Sequence, residues 1–255
     1  MTAPDAAGKD SFSGSEPPVR KPPRIRPPPA LVTAVGVGAA LATVYPPAAE
    51  RALASFGVRP VAGALLALGL ASLLLWRRLD ATARVPVWAR ASLLLLPALS
   101  AATGAELFLR LVPAAIQLGI AALFLLSLRG GGSLFYDAAR SLHPYAPDFI
   151  APYCRKSTAL FAGVFIAQGL GVAWLALTLP EDARWGVATG ILVWIPTLVA
   201  SLVDWLVRKW WFRYYGPGPV DRVLRVLLPA ENTEAGRRSL AYIRRMRAQL
   251  GMPPP

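Results

Sequence analysis

Two uninterrupted apolar runs, Ser157 to Leu179 and Trp185 to Val207, are separated only by Pro180-Glu181-Asp182-Ala183-Arg184. Each run is about 23 residues, and a helix needs about 20 to cross a ~30 Å hydrocarbon layer. No water reaches that layer, so every backbone N–H and C=O must be satisfied within the segment, and a helix does this. Tyr153 to Arg213 is therefore predicted to be a transmembrane helix pair. Ala159, Gly163, Ala167 and Gly171 recur every fourth residue on the first helix, as do Gly186 and Gly190 on the second. That spacing suits close helix packing, and a chain rich in alanine also produces it by chance; the sequence leaves both readings open.

Composition agrees with a membrane location. Hydrophobic residues make up 55% of the chain and charged ones 16%, yet the net charge is +13. Few charges and a strong basic excess require the charges to be segregated from the apolar runs. The Lys and Arg do cluster at the ends of those runs, where membrane orientation accounts for them, so no nucleic-acid partner is inferred. A single cysteine, Cys154, excludes an intramolecular disulfide. One His and one Cys provide no metal site and no redox motif, and no cofactor is expected.

The fold class expected is all-α, a polytopic membrane helix bundle of about six transmembrane helices. Residues 1–29 are rich in Pro, Ser, Gly and charge and read as a disordered cytoplasmic tail with no cleavable signal peptide. Residues 30–207 form the transmembrane domain. Its first span is Ala30 to Tyr45, ended by Pro46-Pro47, and its second is Pro60 to Trp76, stopped by Arg77-Arg78. Ala91 to Leu128 is long enough for two short spans folded about Thr103 to Arg110, or for a re-entrant hairpin of the same parity. Within that fold Glu106 and Arg110 are one helical turn apart and read as interfacial charges at a turn, the flanking spans being too short to bury them deeply.

Orientation follows from the positive charges. Of the 27 Lys and Arg, 23 fall in the N-terminal tail, the second and fourth loops and the C-terminal tail, leaving 4 for the opposite side. By the positive-inside rule both termini face the cytoplasm. Two polar residues interrupt the last two spans. Gln168 lies mid-span and needs a partner in hydrocarbon, for helix association or a polar pathway, and Asp204 is placed for an ion pair with Arg208 or Lys209 at the cytoplasmic boundary.

Residues 129–156 form a cytoplasmic connector that opens with Gly130-Gly131-Gly132. Arg110-Leu111 with Pro113, Ser127-Leu128-Arg129, Phe135 to Arg140, Tyr153-Cys154-Arg155 with Thr158, and Arg208 resemble a family of small bacterial inner-membrane proteins. The resemblance covers Arg110 to Arg213, and Ala159 to Phe165 lacks the Trp of the family pattern. It implies a setting beside ketosynthases, acyl carrier proteins and acyltransferase-like enzymes of fatty-acid-like, aryl polyene or xanthomonadin-type pathways. It implies no catalytic residues.

His143 and Asp148 match the His-x4-Asp spacing by which glycerolipid acyltransferases orient an imidazole base. Pro180 to Arg184 resembles their phosphate motif, but an apolar helix separates the two segments, so they cannot share a site. Pro144 and Pro147 also lie inside the spacing. The match is read as coincidence.

Residues 208–255 form a basic amphipathic cytoplasmic tail. Pro219 suits a first helical turn, and Val220, Val223, Leu224, Leu227 and Leu228 follow an apolar stripe opposite Arg222 and Arg225. A second helix is expected over Thr233 to Leu250, capped by Asn232, with Leu240, Ile243, Met246 and Leu250 on one stripe. Arg237, Arg238, Arg244, Arg245 and Arg247 surround it and, with Arg208 and Lys209, should contact anionic lipid headgroups or an acidic partner such as an acyl carrier protein. The role expected is a non-catalytic accessory or anchoring protein of the bacterial inner membrane for an acyl-chain or polyene pathway. A lipid-like product transporter or flippase component is the alternative, ahead of a membrane acyltransferase.

Overall fold

The computed structural model describes residues 44–79, 87–129, 132–142, 145–178, 185–213, 215 and 218–251, and every regular element among them is helical. The tail 1–29, most of the first expected span, His143 and the 180–184 turn lie outside the described residues. Helix α1 covers residues 44–56, so Pro46 and Pro47, expected to end the first span, sit within helical structure. Then come α2 (Val58–Leu79), α3 (Val87–Thr103), α4 (Leu107–Arg110), α5 (Val112–Arg129) and α6 (Leu134–Leu142). After a 3-10 turn at Asp148–Ile150 follow α7 (Ala151–Thr178), α8 (Trp185–Phe212), α9 (Pro219–Leu227), a second 3-10 turn at Ala230–Asn232, and α10 (Glu234–Gln249).

Three stretches are long and apolar enough to cross a membrane: Leu107–Arg129, Asp148–Thr178 and Trp185–Phe212. Val58–Ala71 and Leu94–Thr103 are shorter apolar helices. The 28 residues of α7 rise about 42 Å, enough for the hydrocarbon core and both headgroup zones. On α8, Val187, Ile191, Ile195, Leu198 and Leu202 form an exposed apolar face. A face of that length is costly in water and natural in lipid. The protein is a membrane-embedded helical protein.

Glycine breaks the short helices where positive φ is needed. Gly57 (φ +77°) separates α1 from α2, and Gly104 (φ +74°) ends α3. The Gly104 N–H still donates to the Ser100 carbonyl, and Ser100 Oγ donates to Ala105 O at 2.8 Å, which closes the turn. Val61, Ala62 and Leu109 pack together at this end of the molecule.

The main core lies between α5 and α7. Phe124, Phe161 and Phe165 are buried with Phe135 of α6 packed against them, and ring centroids lie 5.4 Å apart for Phe124–Phe165 and 5.1 Å for Phe135–Phe161. These separations are within the range where aromatic quadrupoles attract. Phe161, Phe165, Gln168 and Val172 therefore define the inner face of α7. Ala159, Gly163 and Ala167 lie on the exposed side, and of the four small residues only Gly171, which faces Leu192, is set against α8. Bulky rings fill the gap to α5 and turn the small residues outward.

Close approach occurs elsewhere. A Cβ on Gly169 would lie 2.7 Å from Leu118 Cγ and 3.3 Å from the Ala114 carbonyl oxygen, whereas one on Gly163 would meet nothing within 4 Å. Gly171 faces Leu192, Gly186 faces the Glu50 carboxylate, and Gly190 has open space. Gly169→Leu should lower stability in detergent by about 1–3 kcal/mol through overpacking. Gly163→Leu should leave the unfolding midpoint near wild type. Equal losses from the two substitutions would count against this packing.

Candidate functional site

Polar side chains inside the bundle are gathered at three levels. At one end Glu106 and Arg110 form an ion pair, with Nη2 and Nε of Arg110 at 2.6 and 2.8 Å from Glu106 Oε1. Arg110 is only 7% exposed and lies over the Trp185 ring, 5.5 Å from its centroid. Arg110 is thus more deeply buried than its expected place at an interfacial turn, because Trp185, itself fully buried, closes over the guanidinium, while the Glu106 side chain stays 37% exposed. Nearby, the Gly186 N–H donates to Glu50 Oε1 at 2.7 Å, tying α1 to the start of α8.

Mid-span, Gln168 Nε2 donates to Val193 O at 2.7 Å and to Thr197 Oγ1 at 2.8 Å. Pro196 supplies no N–H to the Leu192 carbonyl, and the adjacent Val193 carbonyl accepts from Gln168 Nε2 and from Thr197 Oγ1, the latter at 3.0 Å. The polar residue that needed a partner in hydrocarbon has found one on the neighbouring helix.

The third level holds the candidate site. Tyr153 and Ser157 are one turn apart on the first part of α7, and both hydroxyls donate to Asp204 Oδ1 of α8, that of Tyr153 at 2.8 Å. Tyr153 also donates to the Asp204 backbone carbonyl at 2.9 Å. Arg208 Nη2 lies 2.7 Å from Asp204 Oδ2. The buried carboxylate thus accepts from three side chains, as a buried charge requires. Lys209, the other expected partner, is 2.6 Å from Asp221 of α9 instead. The sequence pairing of Asp204 with Arg208 holds, and the roles of Tyr153 and Ser157 were missed, although their spacing of four is the signal that they share a face.

Above this carboxylate a chamber of about 560 Å³ opens between the connector, the start of α7, the end of α8, and α10. Its walls are mainly apolar and aromatic: Phe149, Trp205, Phe212, Tyr242, Ile243 and Met246. The Phe149 ring is 6.0 Å from that of Tyr242, and the Tyr153 ring is 5.2 Å from that of Phe212. Cys154 is buried at the chamber floor.

The tail forms the chamber's outer wall because several long-range hydrogen bonds fold it back. Tyr242 donates to Tyr145 O at 2.7 Å, Tyr215 to Leu228 O at 2.6 Å, and Arg213 to Pro229 O at 2.6 Å. Pro219 opens α9 in its first turn as expected. The cap of α10 is Thr233, not Asn232: Asn232 closes the preceding 3-10 turn, and extended Thr233 places Oγ1 3.2 Å from the Gly236 N–H. Ile243 and Met246 of the expected apolar stripe line the chamber, because α10 docks against α8 rather than lying apart from the bundle. Arg237, Arg238, Arg244 and Arg245 remain exposed, and Arg247 is half-buried.

Asp148 is exposed on the connector, where it accepts from Tyr136 Oη at 2.6 Å and lies 3.8 Å from Arg140. Burial pushes the Tyr136 phenol up to about 12, with the hydrogen-bonded Asp148 carboxylate adding to the shift, so Tyr136 stays a donor through the physiological range. Asp148 thus pairs with a phenol and a guanidinium. His143, its sequence partner, lies outside the described residues. Among the described residues no three His, Cys, Asp or Glu side chains are grouped as a metal site would need. Comparison of the chain with protein-family models, with curated proteins and with solved structures gave no match.

Proposed function

We propose that this is a multi-pass protein of the bacterial inner membrane, with six spans and both termini in the cytoplasm, that anchors a cytoplasmic acyl-chain or polyene pathway without catalysing a step. The observation that carries the reading is the use of α10. Its Ile243 and Met246 turn onto the chamber wall while Arg237, Arg238, Arg244 and Arg245 stay exposed. A basic surface held in place by tertiary contacts offers a fixed charge pattern, which favours an acidic protein partner such as an acyl carrier protein. The neighbouring α9 has a different task. Val220, Val223, Val226 and Leu227 are all exposed and flanked by Arg222 and Arg225, the arrangement of a helix lying on anionic lipid.

The test uses the full chain in cells, with a fluorescent reporter after Pro255 and the four exposed arginines of α10 replaced by Gln. The wild-type reporter should glow, and the substitutions should cut copurification of the pathway's acyl carrier protein by about tenfold or more at equal membrane level. A dark reporter would overturn the orientation, and unchanged recovery would remove the docking role.

A transport role is the second reading. It is favoured by Gln117 Oε1, Gln168 Oε1, Trp185 Nε1 and Thr189 Oγ1, buried polar atoms of α5, α7 and α8 that have no hydrogen-bond partner among the described residues. Substrate-dependent flux in proteoliposomes would support it over anchoring.

A further inference from the structure

We infer that the chamber at the start of α7 and the end of α8 binds a single-chain anionic amphiphile, an acyl chain or similar apolar body ending in a carboxylate or phosphate. The inference goes beyond the anchoring reading and needs only the chamber, whichever partner α10 meets.

Size is the first ground. The volume of about 560 Å³ lies within the ~300–1,000 Å³ of small-molecule sites. Such a volume suits one slender chain better than the two of a phospholipid. The walls supply the apolar half of the match: Phe149, Trp205, Phe212, Tyr242, Ile243 and Met246 come from the connector, α8 and α10 and leave the space between them open. An apolar chain placed there would cover ring and aliphatic surface from three elements at once.

Polarity decides the head. The acceptor on the floor is largely taken and closed off, since Asp204 receives Tyr153, Ser157 and Arg208 and is only 5% exposed. Little of it is open to a ligand offering donors, an amine for example. Donors are what remains. Arg208 is 52% exposed and engages Asp204 through Nη2, while a guanidinium carries five N–H groups in a planar fork. The rest of that fork has no protein acceptor among the described residues. Lys209 adds positive charge to the same wall, although it is already paired with Asp221. A carboxylate or phosphate supplies the acceptors that such a fork binds best.

Placement agrees with an amphiphile. Trp205, Trp210 and Trp211 mark the aromatic collar at the end of α8, and Arg208 lies at the same level. A head held by Arg208 would therefore sit at headgroup depth, with the chain running under α10.

The test places the full-length protein in phosphatidylcholine nanodiscs with palmitic acid carrying a diazirine on its chain, and maps photo-crosslinks by mass spectrometry. Occupancy should label Tyr242 to Met246 of α10, a helix outside the candidate spans. Palmitic acid and lysophosphatidic acid should both suppress this labelling; the stronger of the two identifies the carboxylate or the phosphate as the preferred head. Hexadecanol should compete about tenfold less well, the loss of one charge-assisted hydrogen bond. Ile243→Trp, which fills the chamber from a half-buried position on α10, should reduce labelling about tenfold. Arg208→Gln should make acid and alcohol equal competitors. Should that variant fail to fold, the competitor series and Ile243→Trp still decide. Labelling confined to lipid-facing residues such as Leu198 and Leu202 would overturn the proposal. So would equal competition by hexadecanol in the wild type, suppression by inorganic phosphate alone, or indifference to Ile243→Trp.

Discussion

Phe124→Ala should lower the unfolding free energy in detergent by about 3 kcal/mol, at the low end of the range for truncating a buried Phe. Phe124 is 3% exposed, and its ring lies 5.8, 6.5 and 5.4 Å from those of Phe135, Phe161 and Phe165. Removing it opens a cavity where α5, α6 and α7 meet. The estimate is at the low end because apolar surface in a membrane gains little from leaving lipid, so the loss is mainly of packing contacts. Leu125, the next residue, is 45% exposed, and Leu125→Ala should shift the midpoint little. A Leu125→Ala loss as large as that of Phe124→Ala would mean that the aromatic cluster is not the centre of the bundle.

Arg208→Ala should cost about 2–3 kcal/mol in the same assay, less than the ~3–5 kcal/mol of breaking a fully buried pair, because Arg208 is half in solvent. The partners are not equivalent. Without Arg208 a carboxylate stays buried with only hydroxyl donors, whereas Asp204→Asn leaves the guanidinium able to reach water and keeps an acceptor for Tyr153 and Ser157. Asp204→Asn should therefore cost less than Arg208→Ala. Adding Asp204→Asn to Arg208→Ala should recover part of the loss. If the double variant is less stable than the sum of the single losses implies, the pair does not contribute as an ion pair.

Much of the helical framework was legible from the sequence for one physical reason. Hydrocarbon forbids unsatisfied backbone, so the long apolar runs at 157–179 and 185–207 had to be helical, and the observed α7 covers 157–178 and α8 the whole of 185–207. Local chemistry was legible too: the spacing of Asp204 and Arg208 announced their ion pair and Pro219 its place in the first turn of α9, whereas Glu106 and Arg110, read as interfacial charges at a turn, are joined in an ion pair.

The inward faces were a different matter. In water a polar stripe marks the outside of a helix, but α7 is apolar all round, so periodicity cannot distinguish lipid from a neighbouring helix. Volume complementarity made that choice. It placed Phe161 and Phe165 inward and Gly163 outward, and made Gly169 the point of close approach. The chamber was equally hidden, since it joins Tyr145 to Tyr242 and Ser157 to Asp204 across long stretches of chain. The stripe on α10 specified an apolar surface to cover, and only the return of the chain through Arg213, Tyr215 and Tyr242 decided that the protein itself, rather than lipid, would cover part of it.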